Sequence, residues 1–111
     1  RQVAADVCVA PQLTPEAMAE VKLAGFRSVV NNRPDFEHGP DQPTNAAIEA
    51  AAVAAGLEYR FLPVSGAGQT PEQIAAFAAL LDELPRPLLA FCRSGARSTN
   101  LFVQAQRSAG T

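Results

Sequence analysis

The chain alternates short apolar runs with longer segments in which apolar residues recur at helical spacing. Four apolar runs predict buried strands, at residues 3–9, 26–30, 57–64 and 87–91. The segments between and after them predict four helices, at residues 15–24, 45–55, 71–84 and 99–106. Strand and helix therefore alternate four times along the chain.

Helix starts and stops are marked by residues that satisfy the free backbone groups of a helix end. Thr70-Pro71-Glu72-Gln73 has the form of a capping box, and Thr44 is placed to cap the second helix. Thr14 followed by Pro15 predicts the start of the first helix, which Gly25 ends.

This order of elements predicts a fold class. Strands that are apolar almost throughout, separated by helices, are typical of a mostly parallel sheet covered by helices on both faces. We therefore predict an α/β fold with a four- to five-stranded sheet, as one domain over residues 1–111. Ligands of such sheets bind at the carboxyl ends of the strands. Two polar loops, 31–42 and 92–97, leave strands at that end, and we expect them to share one cleft.

Composition excludes some classes of partner. Hydrophobic residues make up 48% and charged residues 18% of the 111 residues, as in ordinary soluble domains. The net charge of −2 disfavours binding to nucleic acid or to an anionic membrane surface. Apolar runs stay well short of the roughly 20 residues that span a bilayer. We expect a cytoplasmic protein.

Residues 91–98, Phe-Cys-Arg-Ser-Gly-Ala-Arg-Ser, join the last predicted strand to the last predicted helix. A tight loop at a helix N-terminus directs backbone N–H groups inward and adds the positive end of the helix dipole, which makes an anion pocket. Cys92 would lie at its floor and Arg97 at its far lip. Such surroundings lower a thiol pKa from about 8.5 to roughly 3.5–7.5. The loop therefore predicts a nucleophilic Cys92, and a disulfide would disable it, which favours a reducing compartment.

The loop at residues 31–44 carries three prolines and is long for a connection in a compact domain, which suggests a functional role. Arg33 follows a predicted strand, and we interpret it as a second anion-binding arginine facing Cys92. The alternative is a structural ion pair with Asp35, Glu37 or Asp41.

Several motifs in these loops and strands resemble one known family. They are Gly-Phe-Arg-Ser-Val-Val-Asn-Asn-Arg-Pro-Asp from Gly25, Gln42-Pro43, Leu62-Pro63-Val64 and Cys-Arg-Ser-Gly-Ala-Arg-Ser from Cys92. Together they resemble the β-lactamase-hydrolase-like protein, phosphatase-like domain family, over nearly the whole chain. The resemblance implies a fold like that of the dual-specificity protein phosphatases and a bacterial source. It also implies a possible metallo-β-lactamase-like partner domain, because such domains are fused to family members linked to sulfide and persulfide handling.

The sequence departs from phosphatases of that superfamily at three points. Phe91 stands where they have a His, four residues instead of five separate Cys92 from Arg97, and residues 64–68 offer no carboxylate in place of their aspartate general acid. The shorter loop suits three phosphoryl oxygens less well, and loss of a general acid typically costs about 10²–10⁴ in rate. By contrast, the pattern Cys-Arg-X-Gly-X-Arg is similar to the active loop of rhodanese-type sulfurtransferases.

Our first hypothesis is therefore a thiol sulfurtransferase that acts on a small anionic sulfur donor. Cys92 would attack the donor and hold a persulfide among the loop N–H groups of residues 93–98, while Arg97 binds the donor and stabilises the thiolate. Supporting roles in anion binding fall to the rest of the loop: Arg93, Ser94, Gly95, Ala96 and Ser98. Ser98 is expected to bond the loop backbone or the thiolate.

Two other classes stay open. The first is a phosphatase that forms a Cys92 phosphoenzyme from a phosphorylated substrate, with Asp35 or Glu37 brought over the cleft as general acid. The second is a non-catalytic module that binds an anion or a persulfide.

No cofactor is predicted. His38 is the only histidine and lies in a polar loop, so a metal site is unsupported, and no nucleotide-binding glycine motif occurs. Cys8 is expected to be a small buried residue, the alternative being a resolving thiol.

Overall fold

A computed structural model of the chain describes residues 1–37 and 39–109, with side chains as far as Arg107. Within this part, one sheet contains β1 (Gln2–Ala4), β2 (Val7–Ala10), β3 (Ser28–Asn31), β4 (Glu58–Phe61) and β5 (Leu88–Phe91). The helices are α1 (Ala17–Leu23), α2 (Asn45–Ala54), α3 (Pro71–Glu83) and α4 (Ala96–Ala109), with a short 3₁₀ turn at Gly39–Asp41.

The sheet is mostly parallel, as predicted. Its strand order is β1-β2-β5-β3-β4, and every neighbouring pair is parallel except β1 with β2. β5 is therefore the central strand. At its carboxyl end Phe91 lies in register with Asn31 of β3, so the residues that follow the two strands begin side by side.

Helices cover both faces, which confirms the predicted fold class. Side chains of a strand alternate between faces, and β5 shows this directly. Leu88 and Ala90 pack with α3 and α4 in one apolar cluster, whereas Leu89 and Phe91 pack with α1 and α2 in a second one. Each face of the central strand therefore contributes to a separate core.

The first strand is the clearest departure from the sequence-based expectation. Residues 3–9 form a hairpin instead of one strand, because Ala5 and Asp6 turn the chain between β1 and β2. Aspartate favours turns, and here its carboxylate also bonds Arg86 Nη1 at 2.8 Å. This hairpin supplies the fifth strand.

Element boundaries also differ from the predicted ones, and two of the differences affect the site. β4 ends at Phe61, because Pro63 has no N–H for a strand ladder; the N–H groups of Leu62 and Val64 instead donate to the carbonyls of Asn31 and Asn32. α4 begins at Ala96, three residues earlier than predicted. Arg97 and Ser98 therefore belong to the first helical turn.

The helix starts at Thr44 and Thr70 are confirmed. The Thr44 hydroxyl accepts from Ala47 N at 3.2 Å, and Thr70 with Gln73 forms both bonds of the capping box. Thr14 instead closes a turn before α1, whose N-cap is Glu16. Among the described residues, no helix is both long enough and apolar enough to cross a membrane.

Leu88→Ala should destabilise the domain by about 2–5 kcal/mol, because Leu88 is fully buried in the central strand and truncation leaves a cavity. Urea unfolding monitored by circular dichroism measures the change. Leu23→Ala is the matched control, since Leu23 is 87% exposed and its truncation should change stability by less than about 0.5 kcal/mol. Equal effects of the two substitutions would contradict the assignment of the core.

Candidate active site

Cys92 lies directly after the central strand and is fully buried. Its backbone N–H donates to Ala10 O of β2 at 3.4 Å, which ties the start of the loop to the neighbouring strand. The side chain points to the start of α4, as the predicted strand, loop and helix order requires.

A ring of hydrogen-bond donors surrounds the sulfur. Gly95 N donates to Cys92 Sγ at 3.0 Å, and the backbone N–H groups of Arg97 and Ser98, together with the Ser98 hydroxyl, also stabilise the thiolate. Burial by itself raises the pKa of Cys92, but these donors outweigh it and hold the pKa below its ordinary value. The loop therefore directs its donors at the sulfur, and they favour the thiolate form of Cys92.

Gly95 gives the loop its shape. Its φ of +94° lies in the region that L side chains rarely adopt, and an added Cβ would lie 3.5 Å from Ala10 O. This conformation lets the chain turn into α4 straight after Gly95. The first-turn N–H groups, which have no partners within a helix, then face the sulfur.

Ser98 and Asn32 connect the cysteine loop to the neighbouring strand. Both are fully buried, and the Ser98 hydroxyl donates to Asn32 Oδ1 at 2.8 Å. The side-chain amide of Asn32 donates in turn to Leu62 O at 3.0 Å. The backbone N–H of Asn32 donates to Phe91 O at 2.8 Å. The bond between side chains therefore joins the two loops that were expected to share one cleft.

Arg97 does not point freely into the cleft. Its guanidinium makes two bonds to the Glu37 carboxylate, Nη1 to Oε2 and Nη2 to Oε1, both 2.8 Å, and Nη1 also donates to Val64 O at 2.9 Å. Paired bonds between a guanidinium and a carboxylate are the strong form of this contact. The long loop therefore reaches the cysteine loop through Glu37.

Arg33 binds the same carboxylate. Its Nε lies 3.0 Å from Glu37 Oε1, and its Nη1 donates to Gln12 Oε1 at 2.9 Å. Arg33 thus forms the ion pair with Glu37 that was the alternative to a role in anion binding. Hydrogen bonds from Arg97 lower the pKa of Glu37 to about 2, assisted by Arg33 and opposed by burial.

Phe36 sets the direction of Glu37. Its φ of +58° is unusual for a bulky residue, and its side chain is 67% exposed. Strain of this kind costs on the order of 1–3 kcal/mol and persists only where neighbouring contacts enforce it. Here the contacts are the ion pairs of the next residue, Glu37.

The other predicted site residues lie as follows. Asp35, which was expected as a general acid, instead accepts a bond from Asn45 N at 2.7 Å at the start of α2, and Glu37 is the carboxylate that contacts Arg97. Arg93, Ser94 and Ala96 are exposed on the loop, with Ser94 Oγ accepting from Ala96 N at 3.3 Å. His38 lies outside the described residues.

Two further observations bear on ligands. A cavity of about 380 Å³ borders the loop at Ser94, Gly95 and Ala96, and Cys92 does not line it. No cluster of three metal-binding side chains occurs in the described part of the chain.

Cys8 and Cys92 are both free thiols, and Cys8 is half-buried in β2.

A buried cysteine before the N-terminus of a helix, with an arginine in the first helical turn, lies on an α/β fold with a mostly parallel sheet. Residues 1–109 match the family described as beta-lactamase hydrolase-like protein, phosphatase-like domain, and the chain belongs to that family, as its motifs had indicated.

Curated relatives are named beta-lactamase hydrolase-like proteins. The chain is 44% identical over 79 residues to a beta-lactamase hydrolase-like protein of Agrobacterium fabrum, and 42% identical over 82 residues to one of Xylella fastidiosa. These alignments cover 71% and 74% of this chain but only 18% and 19% of the relatives. The chain thus spans less than a fifth of their length.

Solved structures share the fold. A candidate phosphatase from Neisseria meningitidis matches 99% of this chain and 78% of its own, with a TM-score of 0.87 and 25% identity. A candidate phosphatase from Shewanella putrefaciens matches 99% of this chain and 71% of its own, with a TM-score of 0.85 and 22% identity. The structure of Tk-PTP in its active form matches 95% of this chain and 78% of its own, with a TM-score of 0.65 and 16% identity. The likeness of fold therefore extends to a more distant structure.

Ser98→Ala should raise the pKa of Cys92, because it removes a hydroxyl donor from the thiolate. Ultraviolet thiolate absorbance followed through a pH titration measures this, in a Cys8→Ser background so that one thiol titrates. Ser94→Ala in the same loop is the matched control and should leave the midpoint in place. If Ser98→Ala leaves the titration midpoint of Cys92 unchanged, the ring of donors is contradicted. An ordinary thiol pKa in the parent protein would favour a non-catalytic module.

Glu37 should make stability depend on pH in the acid range. Its pKa is about 2 in the folded protein against an ordinary 4.5, so its contribution is complete above about pH 5 and is lost as the pH falls towards 2. Urea unfolding at several pH values should therefore show a smaller loss of stability in Glu37→Gln than in wild type. Glu58→Gln, at an exposed position at the start of β4, controls for the loss of one acid group. An equal loss of stability with falling pH in wild type and Glu37→Gln would contradict the ion pairs of Glu37 with Arg33 and Arg97.

Proposed function

We propose that this domain is a cysteine-dependent phosphatase in which Cys92 is the nucleophile. The observation that carries the proposal is the stabilised thiolate beside Arg97 at the start of α4, on a fold shared with phosphatases. Donors that lower a thiol pKa increase the fraction of thiolate, which is the form that acts as a nucleophile. The family description and the candidate phosphatases among the solved structures support the same class.

The reaction has two steps. The thiolate attacks phosphorus, the bond from phosphorus to the leaving oxygen breaks, and that oxygen departs with the electron pair. Water then attacks the phosphorus of the cysteinyl phosphate, which releases phosphate and restores the thiolate. The N–H groups of Gly95 and Ser98, which hold the sulfur in the free protein, are close enough to serve phosphoryl oxygens attached to it.

The arrangement of carboxylates favours one substrate class. Asp35 is directed to the start of α2, where it accepts a backbone bond, so it does not lie at the cleft, and Glu37 has a pKa of about 2, so it is not a proton donor at neutral pH in the free protein. A leaving group that departs without a proton must be a good one. Aryl phosphates should therefore be hydrolysed faster than alkyl phosphates, by about the 10²–10⁴ that a general acid supplies.

Cys92→Ser should abolish hydrolysis of an aryl phosphate, with a fall in kcat of about a thousandfold or more. Release of p-nitrophenol from p-nitrophenyl phosphate measures it. Cys8→Ser is the matched control, since Cys8 lies in β2 outside the loop, and should retain wild-type activity. Equal hydrolysis by Cys92→Ser and wild type would contradict the proposal.

Sulfur transfer is the second candidate, and the tightness of the loop favours it. Four residues separate Cys92 from Arg97, Gly95 N lies 3.0 Å from Sγ, and the cysteine is fully buried. Such a ring suits one extra sulfur atom better than a phosphoryl group. The thiolate would attack the outer sulfur of thiosulfate, sulfite would leave with the electron pair, and an acceptor thiolate or cyanide would then take the sulfur.

The same protein variants separate the two candidates. Thiocyanate formation from thiosulfate and cyanide, lost in Cys92→Ser and kept in Cys8→Ser, together with an absence of aryl phosphate hydrolysis, would assign sulfur transfer. Hydrolysis without thiocyanate formation would assign the phosphatase.

Two wider proposals concern the compartment of the protein and a partner domain. The free thiols of Cys8 and Cys92 support a reducing compartment such as the bacterial cytoplasm. A metallo-β-lactamase-like partner domain, fused or separate, is supported by the greater length of the curated relatives.

A further inference from the structure

Two arginines converge on one carboxylate beside the cysteine loop. Glu37 receives both terminal nitrogens of Arg97 and Nε of Arg33, all within 3.0 Å. The three side chains are mostly buried, with 14%, 6% and 24% exposure for Arg97, Arg33 and Glu37. Two positive charges therefore meet one negative charge, and the group has a net positive charge next to a buried thiolate.

The two arginines are held independently of Glu37. Arg97 Nη1 also donates to Val64 O, and Arg33 Nη1 donates to Gln12 Oε1. The backbone N–H of Arg33 is fixed by Asn31 Oδ1 at 2.9 Å. If the carboxylate left, these bonds would keep both guanidinium groups near their places, so the pair is a preformed anion site.

Glu37, by contrast, is joined to the loop through an exposed residue. Phe36 before it has a strained backbone at φ +58°, and its ring is mostly exposed. Moving Glu37 outward would relieve that strain and would disturb no packed aromatic side chain. The carboxylate is therefore the component of the cluster that can be exchanged.

We propose that Arg33 and Arg97 form an anion subsite beside Cys92 for a tetrahedral oxyanion, and that the Glu37 carboxylate fills it until a ligand displaces it. The inference rests on the proposed function, because both a phosphate ester and thiosulfate present such a group, and it names Glu37 as a specificity-determining residue. Guanidinium pairs recognise the paired oxygens of phosphate and carboxylate alike. A ligand must therefore offer at least the charge of the carboxylate that it replaces.

Displacement has two measurable consequences. The apparent affinity for an anion is reduced by the fraction of molecules in which Glu37 occupies the subsite. A displaced Glu37 also loses the cations that lower its pKa from 4.5 to about 2, so its pKa rises on binding. Among the described residues, the charged groups that face it are Arg33 and Arg97, with the Cys92 sulfur close to Arg97.

The first experiment measures binding by calorimetry with inorganic phosphate and, separately, with thiosulfate. Glu37→Gln keeps the shape of the side chain and removes its charge, so it should bind at least one of the two about tenfold more tightly than wild type. Glu58→Gln is the matched control and should bind as wild type does. Binding by Glu37→Gln no tighter than by Glu58→Gln, for both anions, would overturn the proposal.

A second variant tests Arg33 itself. Arg33→Gln added to Glu37→Gln should cancel the gain in affinity, whereas Arg27→Gln, at an exposed position just before β3, should preserve most of it. A gain that survives Arg33→Gln would remove Arg33 from the subsite and overturn the proposal in this form.

Carbon-13 NMR of the Glu37 carboxyl tests the wild-type protein, so the result does not depend on whether a variant folds. Sulfate is the probe because its charge is constant over the range. Between pH 7 and pH 4 the resonance should stay still in the free protein and should titrate in the sulfate-saturated one. No titration with sulfate bound would contradict displacement.

These measurements need no turnover. Tighter binding by Glu37→Gln in a protein that neither hydrolyses phosphate esters nor transfers sulfur would support the subsite and contradict the proposed function. Activity without any change in affinity would support the proposed function and contradict the subsite.

Discussion

The stabilised thiolate of Cys92 depends on one geometric constraint, namely that α4 begins immediately after Gly95. A helix has unpaired N–H groups only in its first turn, and only a helix that starts at Ala96 directs those of Arg97 and Ser98 to the sulfur. The glycine conformation at φ +94° makes this start possible. Burial alone would raise the pKa of the thiol, so without these donors the cysteine would be an inert core residue.

The rest of the fold holds that junction in place. β5 is the central strand, with β2 on one side and β3 on the other, so the residue after it is anchored from both sides. Cys92 N bonds Ala10 O of β2, and Asn32, which follows β3, bonds both Phe91 O and the Ser98 hydroxyl. Parallel pairing of Asn31 with Phe91 places the two loops at one edge. The cleft is thus a consequence of strand register, and the loops supply only its chemistry.

The sequence predicted most of this, and the failures have identifiable causes. Alternation of apolar strands and capped helices was enough for the fold, and the order of strand, loop and helix was enough to place Cys92 before the N-terminus of the last helix. The start of α4 was missed because Arg97 and Ser98 are polar and give no apolar periodicity. Asp35 and Glu37 could not be told apart as partners of the cleft, because the choice depends on the backbone of Phe36, a left-handed conformation that no residue preference predicts there. That one dihedral angle sends Asp35 to α2 and Glu37 to Arg97.

The Ser98 hydroxyl has one proton and two acceptors. It donates to Asn32 Oδ1, and it is also one of the donors that stabilise the Cys92 thiolate, but it can serve only one acceptor at a time. A charged sulfur therefore competes with Asn32 Oδ1 for the same proton. Asn32 is bonded to Leu62 O beyond β4. The charge on the sulfur and the side chain of Asn32 are therefore coupled through one hydroxyl proton.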